Sequence, residues 1–149
     1  MVVSSTTVYP YLSAIATALQ TGLSLQWPVL NYANLETLTI QGTPQIAIVM
    51  EDTTVRETLG KGRQIKTVRF DQIITVMTIL RDASDQSVTD SLLIELGEWQ
   101  ANVLRVLCRD VLSVGGPLRI LDLPKPEAVA GGAIAGRIRL GLQFAFEAE

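Results

Sequence analysis

Glu51 and Asp52 sit side by side at the end of an apolar run, where two carboxylates could act as an acid–base pair or bind magnesium. No third group accompanies them, and charged residues leaving a strand are ordinary, so the plainer reading is preferred. Gly60-Lys61-Gly62 invites comparison with a phosphate loop. That motif needs a glycine five residues before the Gly-Lys pair, where Val55 stands, and a Ser or Thr after the lysine, where Gly62 stands. It also has to open a helix, whereas this segment joins two apolar runs with strand character, so it is set aside as a nucleotide site. Cys108 is the only cysteine and the chain has no histidine. The commonest general base, the commonest metal ligand and the usual activator of a thiol are therefore missing. The inventory points away from catalysis, and no catalytic residue, metal ligand or cofactor is assigned.

What remains is charge and surface. Residues 56–69 carry five basic side chains against Glu57 alone, a net of +4 in a chain whose overall charge is −3. Lys61, Arg63 and Lys66 lie at the centre of this patch, at the expected tip of a hairpin. A solvated turn would look like this; so would an arm that docks on an acidic surface or on DNA phosphate. Glu95, Glu98, Arg105, Arg109 and Asp110 read as the solvated face of a helix with ion pairs along it. Trp99 and Cys108 read as packed against the apolar side of that helix.

These residues need elements to hold them. Val8, Leu12, Ile15 and Leu19 follow the Ser4–Thr7 hydroxyls at steps of four, three and four, which predicts an N-terminal helix ending near Gly22. Residues 35–40 form a candidate short strand. The run Ile46–Asp52 predicts a central strand, 53–66 a long glycine-containing connection, and Thr67–Arg81 a long second strand. Val68, Phe70, Ile74, Val76 and Leu80 fall on one face of that strand, while Ile73, Met77 and Ile79 fall on the other. Ser87-x-x-Asp90 resembles a capping box, and the three- and four-residue steps from Leu92 to Val111 predict a helix over 89–112. Residues 118–123 add a short strand, and 123–136, rich in Pro and Gly, reads as a flexible loop outside the core. Arg137–Glu147 then alternates without a break, the pattern of a half-buried strand. The length suits a single domain over 1–149. Strands adjacent in sequence, with helices for one face, predict an α+β fold with a mainly antiparallel sheet.

Two features suggest self-association. The apolar back of the second strand (Ile73, Met77, Ile79) calls for cover, and so small a domain has little mass to supply it. The first charged residue is Glu36. The neutral segment before it is interrupted by Pro10, Gln20, Gln26 and Pro28, so it lacks the unbroken apolar run of a membrane span and reads as packed against protein.

The succession of helix 11–19, strand 44–50, strand 70–80 running into 83–86, helix from Asp90 and closing strand 137–147 resembles the U-type minor tail proteins, the tail terminators of long-tailed bacteriophages. It departs from them by the extended 23–43 segment and the 123–136 loop. The resemblance implies a homo-oligomeric ring, usually a hexamer, that caps the tail tube, ends its polymerisation and forms the joint to the head. Its partners would be the tail tube protein and a head-completion or neck protein. DNA would pass through the lumen without specific binding, and no cofactor or membrane would be involved. The protein would belong to the virion, at the tail or neck, after assembly in the host cytoplasm. Ile73, Met77 and Ile79 would then serve the subunit contact, and Lys61, Arg63 and Lys66 the axial docking. The alternatives are a head-completion or head–tail connector protein of the neck and, from another class, a small ligand-binding or hydrolytic domain, which would need a deep pocket with convergent polar groups.

Overall fold

The period-two patterns set the architecture. The computed structural model describes residues 9–31, 44–81, 90–112, 118–129 and 132–147, with the side chains at 9, 10, 31, 52, 58, 63, 129, 144, 146 and 147 outside that description. In chain order the elements are α1 (Tyr9–Gly22), β1 (Leu30–Asn31), β2 (Gln45–Leu59), β3 (Ile65–Arg81), α2 (Asp90–Val106), β4 (Leu118–Asp122), β5 (Glu127–Val129) and β6 (Ala133–Glu147). The strands form one sheet in the order β1-β2-β3-β6-β4, with β5 also on β6. All pairings are antiparallel except the short β1–β2 pair. The chain is thus an α+β fold with a mainly antiparallel sheet, an N-terminal helix and one long helix packed on it. The Ser4–Thr7 cap, the 35–40 strand and Ser87 lie outside the described residues.

The helix layer meets one face of the sheet. Ile46 and Ile48 of β2, Ile74 and Val76 of β3, and Ile138, Leu140 and Leu142 of β6 are buried with Leu12, Ile15 and Leu19 of α1 and Val103 and Val106 of α2. A second cluster joins Leu80, Ile134, Leu92 and Leu96, with Trp99 half-buried beside it. Within the uncharged N-terminal segment, most of α1 is core. Tyr11, Leu12, Ala14, Ile15, Ala16, Ala18 and Leu19 of α1 are all buried within the one chain, so the apolar side of that helix is closed by its own polypeptide and only a polar stripe with Ser13 and Thr17 stays exposed. Two glutamines secure the return to the sheet: Gln20 donates to the Leu25 carbonyl and accepts from the Val29 amide, and the Gln45 amide donates to the Pro28 carbonyl at 3.1 Å.

α2 runs into a π-helical turn, Leu107–Leu112. A π turn inserts one residue into the helical register. Leu107 and Val111 keep the buried stripe going, and Cys108, expected to pack, is exposed.

Three further expectations are corrected. The 53–66 connection is strand nearly throughout: β2 and β3 stay paired from Gln45↔Ile79 out to Leu59↔Ile65. Only a turn of 3-10 helix, Lys61–Arg63, joins them, closed by the Gly60 amide on the Gln64 carbonyl at 2.8 Å. Gly62 has φ of 74°, a left-handed conformation that favours glycine. The 123–136 segment is outside the core only in its first part: residues 123–128 are exposed or half-buried, but β6 starts at Ala133 and pairs with Arg81, and Ala133, Ile134, Ala135 and Gly136 are buried. Small residues there read as loop in sequence but fit a strand crowded on both sides.

The third correction concerns the back of β3. Met77 is 1% and Ile79 0% exposed in the single chain, among Ala47, Ala133 and Ala135, with Leu30 and Val49 at the margin. Ile73 is half-buried. Met77 and Ile79 are therefore sealed by their own polypeptide and leave no apolar face there for a second copy.

Candidate functional site

Length decides where a functional surface is left. At about 3.3 Å per residue β3 spans roughly 55 Å, whereas α2 at 1.5 Å per residue covers about 25 Å. The helices cap the inner half of the sheet, and the outer half of the β2–β3 hairpin projects as an arm. Burial follows that division, since β3 is buried from Ile74 to Leu80 and exposed or half-buried from Ile65 to Asp71. Val55, Leu59 and Ile65 are exposed on the arm, and Lys61 and Lys66 are exposed at its tip. Arg63 lies in the same turn. Of the predicted site residues, Lys61 and Lys66 are together and accessible at the tip. Met77 and Ile79 lie in the sheet's inner half, apart from the tip.

The face of the outer sheet away from the helices is polar, and bulges shape it. Between Met50 and Thr53 the β2 register shifts, so Glu51 and Asp52 oppose one β3 residue. This turns Glu51 toward β6. Its carboxylate lies 3.6 Å from Arg139 Nε and accepts a hydrogen bond from the Thr75 hydroxyl at 2.8 Å. Across the sheet β4 has its own shift between Ile120 and Asp122, which brings Asp122 Oδ2 to 3.0 Å from Arg139 Nη1. One guanidinium therefore ties both bulges, and Glu51, considered above as an acid–base group, is an ion-pair partner. Beneath it Gln72, nearly buried, bonds to Thr53 and donates to the Glu51 and Ile73 carbonyls at 2.6 and 2.9 Å. Arg139→Leu is expected to cost about 1–2 kcal/mol, since the groups are about one-third exposed and solvent screens them. Denaturant midpoints for Arg139→Leu, Glu51→Gln and the double variant check this, with a coupling of about 0.5–1 kcal/mol expected.

Beyond that network the same face hollows into a groove of about 430 Å³ crossing β2, β3, β6 and β4. Arg56, Arg69 and Arg119 line it against one carboxylate, Asp71. Arg69 donates to Asp71 at 3.3 Å and Arg56 stands 4.0 Å away, while Arg119 makes no ion pair among the described residues. Gly141 forms part of the lining; a Cβ there would approach Leu121 Cδ2 at 3.0 Å, so glycine lets Leu121 lie close over β6. The basic patch seen in the sequence is thus split, with Arg56 and Arg69 in the groove and the lysines at the tip. Sequence reasoning missed Arg119 and Leu121, since only cross-strand register brings β4 beside the hairpin. An open site with three guanidiniums suits carboxylates or phosphates, which arginine holds with paired hydrogen bonds.

The acidic groups elsewhere do not converge. Among the described residues no three His, Cys, Asp or Glu side chains are placed to hold a metal ion. Arg109 and Asp110 pair at 2.7 Å, and the Arg109 hydrogen bond holds the Asp110 carboxyl below its ordinary range. No described helix is long and apolar enough to cross a membrane. Glu95 and Glu98 are exposed on α2 and make no ion pair among the described residues. No family model and no curated protein sequence matches this chain.

Proposed function

We propose that the chain is a structural subunit of a phage or phage-like tail, a tail terminator that assembles into a ring, ends tube growth and forms the joint to the head. One observation carries this reading: in the outer half of the sheet both edges are open among the described residues. On one side β1 pairs only with Ala47 and Ile48, leaving the β2 edge from Thr53 to Leu59 unpaired; on the other, β4 reaches only to Leu142 and leaves the β6 edge from Gln143 to Glu147 unpaired. Open strand edges invite pairing with another chain. Two different edges on opposite sides of one subunit make a head-to-tail contact, which gives a closed ring when its rotation closes. The projecting hairpin then stands ready for axial docking on the tube or on a neck protein.

Tail length is the decisive measurement. Without this protein tails should grow overlong or fail to join heads; normal length with normal joining would rule the terminator role out. Normal length with unjoined heads would move the protein to the neck. The arm has its own test. Replacing Lys61, Arg63 and Lys66 together with Ser should leave folding within about 0.5 kcal/mol per site, as for surface positions generally. Docking in an assembly assay should fall at least tenfold. Full docking activity, or an unfolded variant, would contradict the assigned role of the tip.

A further inference from the structure

We infer that the basic groove is the seat for the outer face of α2 of a neighbouring copy, a face-to-face contact distinct from pairing at the open strand edges, which rests on the reading of the chain as a self-assembling subunit. The two surfaces lie on opposite sides of the molecule. The helices cover the face bearing Ile74 and Val76, while Asp71 and Ile73 turn the other way into the groove. A contact between them is therefore head-to-tail, as ring closure requires.

Their chemistry is complementary. From Asp90 to Glu98 the helix carries Asp90, Glu95 and Glu98 and no basic residue, a net of −3. Ile94 is 65% and Leu93 41% exposed, an apolar pair turned away from the core defined by Leu92 and Leu96. Ile94 and Glu98 share one face at four-residue spacing. Gly97 adds an open notch beside them, since a Cβ there would meet nothing within 4 Å. The groove presents the reverse: three guanidiniums against one carboxylate, a net of +2, around the apolar Ile73 and Leu121. Glu95, Glu98 and Arg119 make no ion pair within the described chain, so pairing across a contact breaks no ion pair that these three make within one copy. Opposed patches of this kind set register and speed encounter, and the apolar pair supplies desolvated area at the centre.

Charge reversal on the full-length protein tests this by sedimentation over a range of concentrations at low and high salt. Glu95→Arg/Glu98→Arg and Arg56→Glu/Arg119→Glu each place like charges across the contact. Each variant should associate at least tenfold more weakly than the wild type while keeping the melting temperature of the dissociated wild-type chain at low concentration. An equimolar mixture of the two should regain assembly, because every contact in an alternating array is again between opposite charges. That recovery separates a lost contact from a damaged fold. Reversed variants that associate like the wild type, or a mixture that fails to recover, would overturn this contact while leaving the ring itself standing. If duplex DNA binds the wild type and is lost on Arg56→Glu/Arg119→Glu with association unchanged, the groove serves phosphate and the inference falls. A wild type that stays monomeric throughout and leaves tail length unchanged in its absence would overturn the ring reading.

Discussion

Met77→Ala should destabilise the isolated chain by about 2–4 kcal/mol, and the loss should be the same at every protein concentration. The side chain is buried in one polypeptide, between Ala47 on β2 and the alanines that open β6. Its neighbours are small and held by strand pairing on both sides of β3, so they cannot collapse to fill the volume a methionine leaves. The missing contacts then add to the lost transfer energy. Had Met77 lain between subunits, the same substitution would weaken assembly and spare the monomer, and stability would depend on concentration. Denaturant midpoints at two concentrations a hundredfold apart, with sedimentation on the same samples, separate the two. A midpoint unchanged in the monomer but lower in the oligomer would return Met77 to an interface.

Leu19→Ala should cost about 3–5 kcal/mol, the upper part of the range for a large aliphatic residue in a tight site. Leu19 is fully buried where α1 meets the main core, in the cluster that also holds Val106 and Leu107. The adjacent Gly22 leaves no slack, since a Cβ there would already stand 2.9 Å from Val106. The expected reading is a marked fall in melting temperature together with cooperative loss of the whole fold, because α1 closes one end of the helix layer. Little change, or loss of α1 helicity alone with the sheet intact, would place α1 outside the cooperative core.

Both substitutions fall on segments whose sequence suggested subunit contact, and the reason is instructive. An apolar back to a strand calls for cover without saying whose atoms provide it. Met77 and Ile79 have the composition an interface would need, yet small residues at 133 and 135 and the rest of the same chain seal them. An absence of charge within 9–22 likewise suits a helix buried over most of its surface, and α1 buries seven of its residues within the chain. The same ambiguity made Ala133–Gly136 look like loop. Glycine and alanine carry little pattern of their own, and pairing with β3 is what makes this stretch a strand.

The candidate surface was legible only in part. Basic residues around the hairpin tip could be counted, and Lys61 and Lys66 are exposed there. That Arg56 and Arg69 would turn into a groove with Arg119 could not be counted, because Arg119 lies fifty residues further along the chain from Arg69. The Glu51–Arg139–Asp122 network needs two bulges, and a bulge shifts register without leaving a mark in a period-two pattern.

Taken by itself, the sequence determined the two helices, the inner stretches of β2, β3 and β6, the helix-facing residues of β3 and the antiparallel α+β class. Those follow from local periodicity, in which each residue's direction is set by its neighbours a few positions away. Tertiary structure alone decided which apolar surfaces are closed by the chain itself and which strand edges stay open. It also decided which distant arginines share a carboxylate. Such outcomes depend on strand order, register and relative element lengths, none of which is encoded in a window of ten or fifteen residues.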